Sequence, residues 1–227
     1  MKIRAELSEA IFVRRLNRFA AMVEVGGKQE VAHLPNSGRM RELLFPGARV
    51  LVAERSGERK TRFDLLMAEE GSTLVSVDSR LPPVLVAEAL AEGRLPELGE
   101  FHTLRREVRV GASRLDLLGH GARGSCLMET KSVTLVRDGV ALFPDAPTSR
   151  GTRHLEQLRR ATTEGCQAAA IFVIQRDDAS SFSPLEEADP VFASALRSIS
   201  TTVQILAYGC RVCRDQIAIV GRVPVAL

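Results

Sequence analysis

Short alternating apolar and polar runs fill the first third of the chain. Residues 12–25 form a long apolar-and-basic strand candidate ending at Gly26-Gly27, a two-residue hairpin turn signal, and 30–34 follows as its partner. Pro35-Asn36-Ser37-Gly38 reads as a loop. Residues 39–44 (RMRELL) have helical periodicity, stopped by Phe45-Pro46-Gly47. Residues 48–54 and 61–68 are two further strands joined by SGERK, with 74–77 as a fifth. Five short strands with one helical insert match a small barrel of the OB type, a fold that often binds oligonucleotides on one face.

After Pro82-Pro83 the pattern changes. Residues 84–91 (VLVAEALA) are apolar and rich in helix formers, ended by Gly93, which places a domain boundary near Ser79. Strands are predicted over 105–110, 113–118 and 126–130, followed by a ribbon of 133–137 and 140–143 across Asp138-Gly139. A helix follows over 151–164, with Thr148 or Ser149 available as its cap. Residues 168–175 (AAAIFVIQ) are almost continuously apolar, the mark of a buried central strand. A polar loop over 177–184, a long helix over 190–208 and strands over 210–215 and 216–223 complete the chain. The expectation is an α+β protein of two domains: an OB-like barrel over 1–79 and a mixed α/β sheet, covered on both faces, over 80–227.

Composition narrows the class. The chain has 227 residues, 45% apolar and 26% charged, within the range of ordinary globular proteins. No apolar run is long enough for a membrane span, and MKIRAELSEAIFVRRLNRF lacks the features of a secretory signal, so a cytoplasmic protein that does not engage membranes is expected. Cys126, Cys166, Cys210 and Cys213 are too few for a disulfide framework. The lone C-x-x-C at 210–213 has no second pair to complete a zinc site, so buried free thiols are expected. The whole net charge of +3 comes from residues 1–80, which hold 14 Lys and Arg against 11 Asp and Glu. So small an excess draws a polyanion only where it is clustered.

The candidate chemistry lies in SRLDLLGHGARGSCLMETK, residues 113–131. Two apolar runs joined through glycines suggest a hairpin in which Asp116 and Glu129 face each other. Lys131, two residues beyond Glu129, points to the same side. Two carboxylates in that arrangement suit Mg²⁺ or Mn²⁺ with waters and phosphate oxygens, and the lysine could hold a water or balance a phosphate. An E-x-K triplet is also common on solvated strands, where such pairs contribute little.

Longer strings carry a family resemblance. FVRRLNRF (12–19), HLPNSGRM (33–40), Lys60-Thr61, SRLD (113–116), ETKSVTL (129–135) and FPDAPTSRGTRHL (143–155) resemble the sugar fermentation stimulation protein A family over nearly the whole chain. An acid on the second strand and E-x-K on the third also resemble the PD-(D/E)xK nuclease core. The resemblance implies an OB-type domain joined to a PD-(D/E)xK-like domain, DNA binding, and a link to regulation of sugar metabolism. It implies catalytic roles for Asp116, Glu129 and Lys131, with Glu88 on the preceding helix as a further metal ligand. Three positions depart from the family pattern: Ser37 stands where threonine is usual, Thr130 where valine is usual, and Pro83 where asparagine is usual. Thr130 is expected to matter through its backbone carbonyl rather than its side chain.

Two basic clusters complete the picture. Arg150, Arg153 and His154 fall at a predicted helix start, where free N–H groups favour an anion, with Gln157 close to the same face. Asp145 could support the metal or cap a loop. In the first domain Arg14, Arg15, Arg18, Arg39 and Arg41 suit a groove that tracks a phosphate backbone, although aromatics for base stacking are only 4% of the chain. The expected partner is DNA, with RNA as a second candidate and a homodimer left open. Two functions follow: a Mg²⁺- or Mn²⁺-dependent nuclease, or a DNA-binding regulator that keeps a nuclease scaffold without turnover.

Overall fold

Hairpins build the first third of the molecule. A computed structural model describes residues 1–55, 61–111 and 113–227; the SGERK connection, and with it Lys60, lies outside the described residues. Strand β1 (Leu7–Asn17) turns at Arg18-Phe19 into β2 (Ala20–Val25), so the stretch expected as one strand is a hairpin. The turn is made by Asn17, whose Oδ1 accepts from the Phe19 N–H at 2.9 Å. Apolar Phe19 and Ala20 hide this turn from a hydropathy reading. Strands β3 (Lys28–His33), β4 (Arg49–Glu54), β5 (Phe63–Glu70) and β6 (Thr73–Ser76) follow. The sheet order is β3-β2-β1-β4-β5-β6, and a parallel β3–β5 pairing closes the first five strands into an OB-like barrel. Closure removes the exposed strand edges. Phe12, Leu34, Leu43, Val52, Phe63 and Leu65 fill its interior.

The helix expected over 39–44 does not form. Met40 makes one turn, its carbonyl accepting from the N–H groups of Leu43 and Leu44 at 3.1 and 2.8 Å, and Phe45-Pro46 stops propagation. This loop is instead held by Arg15. Its guanidinium donates to the carbonyls of Asn36 (2.8 Å), Gly38 (2.5 Å) and Arg39 (3.1 Å), and to those of Asn17 and Arg18. Arg15, expected at a phosphate, has its five donors on backbone carbonyls.

Helix α1 (Pro82–Ala91), opened by its two prolines, leads through a short 3₁₀ turn (Pro96–Leu98) into β7 (Thr103–Val110), β8 (Ser113–Gly121) and β9 (Gly124–Val133). Then come β10 (Leu135–Arg137), β11 (Val140–Phe143), α2 (Ser149–Thr163), β12 (Gln167–Ile174), β13 (Ser181–Pro184), α3 (Pro190–Ile199), β14 (Gln204–Val212) and β15 (Ile217–Val223). The second sheet runs β15-β14-β12-β9-β8-β7, with β12 parallel to both neighbours. Both faces of β12 are buried, one under α1 with Leu51 and Met67 of the barrel, the other under α2 and α3. Two expectations fail here. The helix over 190–208 ends at Ile199, because Thr201-Thr202-Val203 are β-branched and the apolar run beyond them lacks a helical period. The loop over 177–184 contains β13, which pairs with β11.

The barrel is fastened to the second sheet at the end of β12. The Ser76 N–H donates to the Gln175 carbonyl at 3.0 Å, and the Ser76 hydroxyl to the Gln175 side chain at 3.2 Å. Arg176, 3% exposed, pairs with Glu70 at 2.6 Å and Asp178 at 2.5 Å. Near this junction Glu42 has a buried Oε1 without a hydrogen-bond partner among the described residues. Burial pushes its carboxyl upward, the charges of Asp145 and Glu70 add to that, and its own backbone N–H and Arg176 oppose it.

Two stability predictions follow from these contacts. Arg15→Ala removes five hydrogen bonds to loop carbonyls, two of them part-buried, and should cost about 2 kcal/mol, a fall in Tm of roughly 4–8 °C. Arg15→Lys should recover less than half, since an ammonium cannot present a planar fork. A melting temperature unchanged in Arg15→Ala would contradict the clamp. For Glu42 the unfolded chain loses its proton first as pH rises, so its contribution to stability falls above the ordinary glutamate range. Glu42→Gln should therefore raise Tm at neutral pH by ~2 °C or more and leave it nearly unchanged below about pH 4. Thermal melts across pH check the sign, and an equal effect at both ends would contradict it.

Candidate metal centre and nucleic-acid cleft

Strand β8 turns over at Asp116. Leu117 packs in the cluster under α1 and Leu115 in the cluster under α2 and α3, although residues two apart on a regular strand share a face. On β7 the residue opposite is Glu107, which falls between the Arg106–Leu117 and Val108–Leu115 pairs and has a left-handed φ of 54°. On the other side β8–β9 pairing stops at Leu117–Met128, one step before Asp116 and Glu129. The Asp116 carboxylate takes the place of the lost backbone pairing: Oδ2 accepts from the Thr130 N–H at 2.8 Å and from the Thr130 hydroxyl at 2.6 Å. The Thr130 side chain therefore matters, contrary to the expectation that only its carbonyl would.

Glu129 sits beside Asp116 and is almost fully buried. Its Oε1 receives Lys131 Nζ at 2.5 Å and His154 Nδ1, while its Oε2 is buried with no partner among the described residues. Arg150 Nε lies 3.4 Å from His154 Nε2, so a donor there assigns the ring proton to Nδ1, directed at Glu129. Burial works against ionisation of both acids, with different results. Asp116 is pushed upward by burial and then by the Glu129 charge, against Thr130 and Lys131. At Glu129 burial also pushes upward, but Lys131 and His154 outweigh it and the carboxyl lies below its usual range.

A divalent cation fits this donor set. An orphaned, buried carboxylate oxygen next to a second carboxylate destabilised by its neighbour's charge is the environment that a hard cation relieves. Among the described residues no three His, Cys, Asp or Glu side chains converge as ligands, so the chain offers two carboxylates and leaves other positions to water or phosphate. That balance suits a hard divalent cation better than a closed zinc site.

Around these groups opens a cleft of about 590 Å³ between the barrel and the second sheet. The barrel contributes Arg18, Asn36, Ser37, Gly38 and Met40; the sheet contributes Asp116, Glu129 and Lys131. Asp145 joins the two walls, accepting from the Met40 N–H at 2.9 Å. A Cβ on Gly38 would lie 2.9 Å from Asp145 Oδ2, so the loop approaches this closely only as glycine. Thr148 caps α2 through the Gly151 N–H at 3.0 Å and directs Arg150 to the cleft mouth.

The structure sorts the expected site residues. Asp116, Glu129, Lys131, Asp145, Arg18 and Arg150 line one cleft. Arg14, Arg39, Arg41 and Arg153 are exposed but outside its lining. His154, expected at a phosphate, is buried behind Glu129. Gln157 lies near the Gly111 turn, its Oε1 3.6 Å from where a Cβ there would stand. Glu88 is not brought to the carboxylates; its Oε2 pairs with the Met1 amine at 2.6 Å. Sequence reasoning missed Arg80, Arg106, Glu107 and Ser132 in the lining. Buried Gln175 stands behind them, donating to Ser132 at 2.8 Å and to the Asp78 carbonyl at 3.2 Å. Of these only the basic run at Arg105-Arg106 is visible as a signal in the sequence.

Comparison with known proteins agrees with this architecture. Residues 13–77 match the family model described as the SfsA N-terminal OB domain, and 80–216 match that of the sugar fermentation stimulation protein RE domain. A sugar fermentation stimulation protein homolog from Desulforamulus reducens is 47% identical over 98% of this chain and 93% of its own length. One from Moorella thermoacetica is 44% identical over the full length of both. The structure of Pyrococcus furiosus SfsA in complex with Ca²⁺ aligns with a TM-score of 0.91 at 32% identity, covering 100% of this chain and 98% of that one. A barrel of the OB type, a mixed sheet carrying D…E-x-K, and full-length matches to these relatives together place the chain in the sugar fermentation stimulation protein family.

Proposed function

We propose that this protein binds DNA in the cleft and hydrolyses its phosphodiester bonds with a divalent cation, Mg²⁺ or Mn²⁺, held by Asp116 and Glu129. The observation that carries this reading is the buried Oε2 of Glu129, without a partner among the described residues, beside Asp116 in a cleft that Arg18, Arg106, Lys131 and Arg150 also line. The Ca²⁺ in the Pyrococcus furiosus relative supports a divalent ion here. When bound, such an ion polarises a phosphoryl oxygen and lowers the pKa of a water.

The rest is the work of the chain. Lys131, 12% exposed and anchored on Glu129, presents its ammonium to the cleft, where it binds and orients a water or neutralises a phosphate oxygen. Thr130 fixes the Asp116 carboxylate through two hydrogen bonds. His154 fixes Glu129 from behind, so its role is positioning. Arg18 and Arg150 approach from opposite walls and take flanking phosphates. With contacts of this kind, binding is dominated by phosphate and depends steeply on salt.

Incubation of linear and circular DNA with Mg²⁺ or Mn²⁺ tests the proposal. Cleavage should require the metal, and Asp116→Asn and Lys131→Ala should each reduce it about 10²-fold or more while the fold, read by thermal melting, is kept. Equal DNA retention by wild type and Asp116→Asn, with no cleavage above the metal-free control, would replace the nuclease with a DNA-binding regulator.

A further inference from the structure

We infer that the edge strand β7 is a second DNA contact, a phosphate track formed by Arg105, Arg106 and Arg109 that continues the cleft outward. The inference rests on reading the cleft as a nucleic-acid site and extends it to residues outside the chemistry.

Position is the first argument. β7 is the last strand of its sheet, so one side of it has no neighbouring strand. Arg105, Arg106 and Arg109 are all exposed, and none has an ion-pair partner among the described residues; on this hairpin only Arg114 and Glu107 pair, at 3.3 Å. Continuity is the second argument. Arg106 and Glu107 line the cleft itself, so the edge strand begins its exposed side beside the carboxylates. The left-handed Glu107 marks where the strand changes face beside Asp116.

Charge is the third argument. Charges that only guard a sheet edge against strand addition can be of either sign. Here all three unpaired groups are guanidiniums, the side chain best shaped to fork onto phosphate oxygens. The register puts Arg106, opposite Leu117, and Arg109, opposite Arg114, on the α1 side of the sheet and Arg105, opposite Leu118, on the other, so the three guanidiniums straddle the open edge. A backbone lying along that edge is within reach of both sides, and the track lengthens the footprint rather than adding affinity at the cleft.

The test compares a short duplex that fills only the cleft with one longer by about ten base pairs. Affinities are read by fluorescence anisotropy in EDTA across a salt series, so the result does not depend on turnover. In Arg105→Gln/Arg109→Gln the advantage of the long duplex over the short should fall on the order of tenfold, and the slope of log K against log salt for the long duplex should drop by about two. Arg105→Lys/Arg109→Lys should restore most of that slope, and Arg211→Gln, exposed on β14, should change neither value. An unchanged length advantage in the Gln pair would overturn the track. So would equal losses on both duplexes, which would mean an effect through the cleft. If wild type never cleaves DNA yet the length advantage depends on these arginines, the nuclease reading fails and the track stands.

Discussion

Two carboxylates held side by side in a mostly buried place repel each other, and much of the second domain is arranged to offset that repulsion. Burial and then the Glu129 charge push the Asp116 carboxyl upward, the sign of that repulsion. Asp116 receives two hydrogen bonds from Thr130, and Glu129 receives Lys131 and His154 on one oxygen. These contacts exist because β8 turns over at Asp116 and parts from β9 there. Among the described residues, what they leave unmet is the other oxygen of Glu129, a remainder of the kind that a divalent cation would satisfy.

The barrel supplies the opposite wall of the site. Its loop 36–40 would fold many ways if left to its own short-range preferences; Arg15 gathers its carbonyls, Asn36 Oδ1 accepts from the Gly38 N–H at 2.8 Å, and Asp145 takes the Met40 N–H from across the cleft. Ser76 and Gln175 then fix the distance between barrel and sheet. Because one wall belongs to each domain, the width of the cleft depends on these few polar contacts. A change at Asp145 or Gln175 would alter the site without touching the carboxylates.

Much of this was legible in the sequence. Alternation identified most strands, the apolar run at 168–175 identified the central one, and E-x-K with Asp116 pointed to residues that the fold brings to one cleft. Three kinds of feature were not legible. Asn17 turns the chain inside an apolar stretch, and Thr201-Thr202-Val203 end a helix inside another, so hydropathy ran through both. Nothing local in the sequence separates His154 and Arg15 from the other basic residues around them, and only the fold shows His154 buried against Glu129 and Arg15 bound to loop carbonyls. The basic residues of β7 gain meaning from being on a sheet edge, a property of topology that no local window contains.

The claim that Asp116 and Glu129 form a cation site is tested most directly by the position of the ion itself. Crystals of the wild-type chain soaked in Mn²⁺ should give an anomalous peak within coordination distance of Glu129 Oε2 and the Asp116 carboxylate, absent in Asp116→Asn. A peak elsewhere, or none under conditions that saturate exposed carboxylates, would contradict the account.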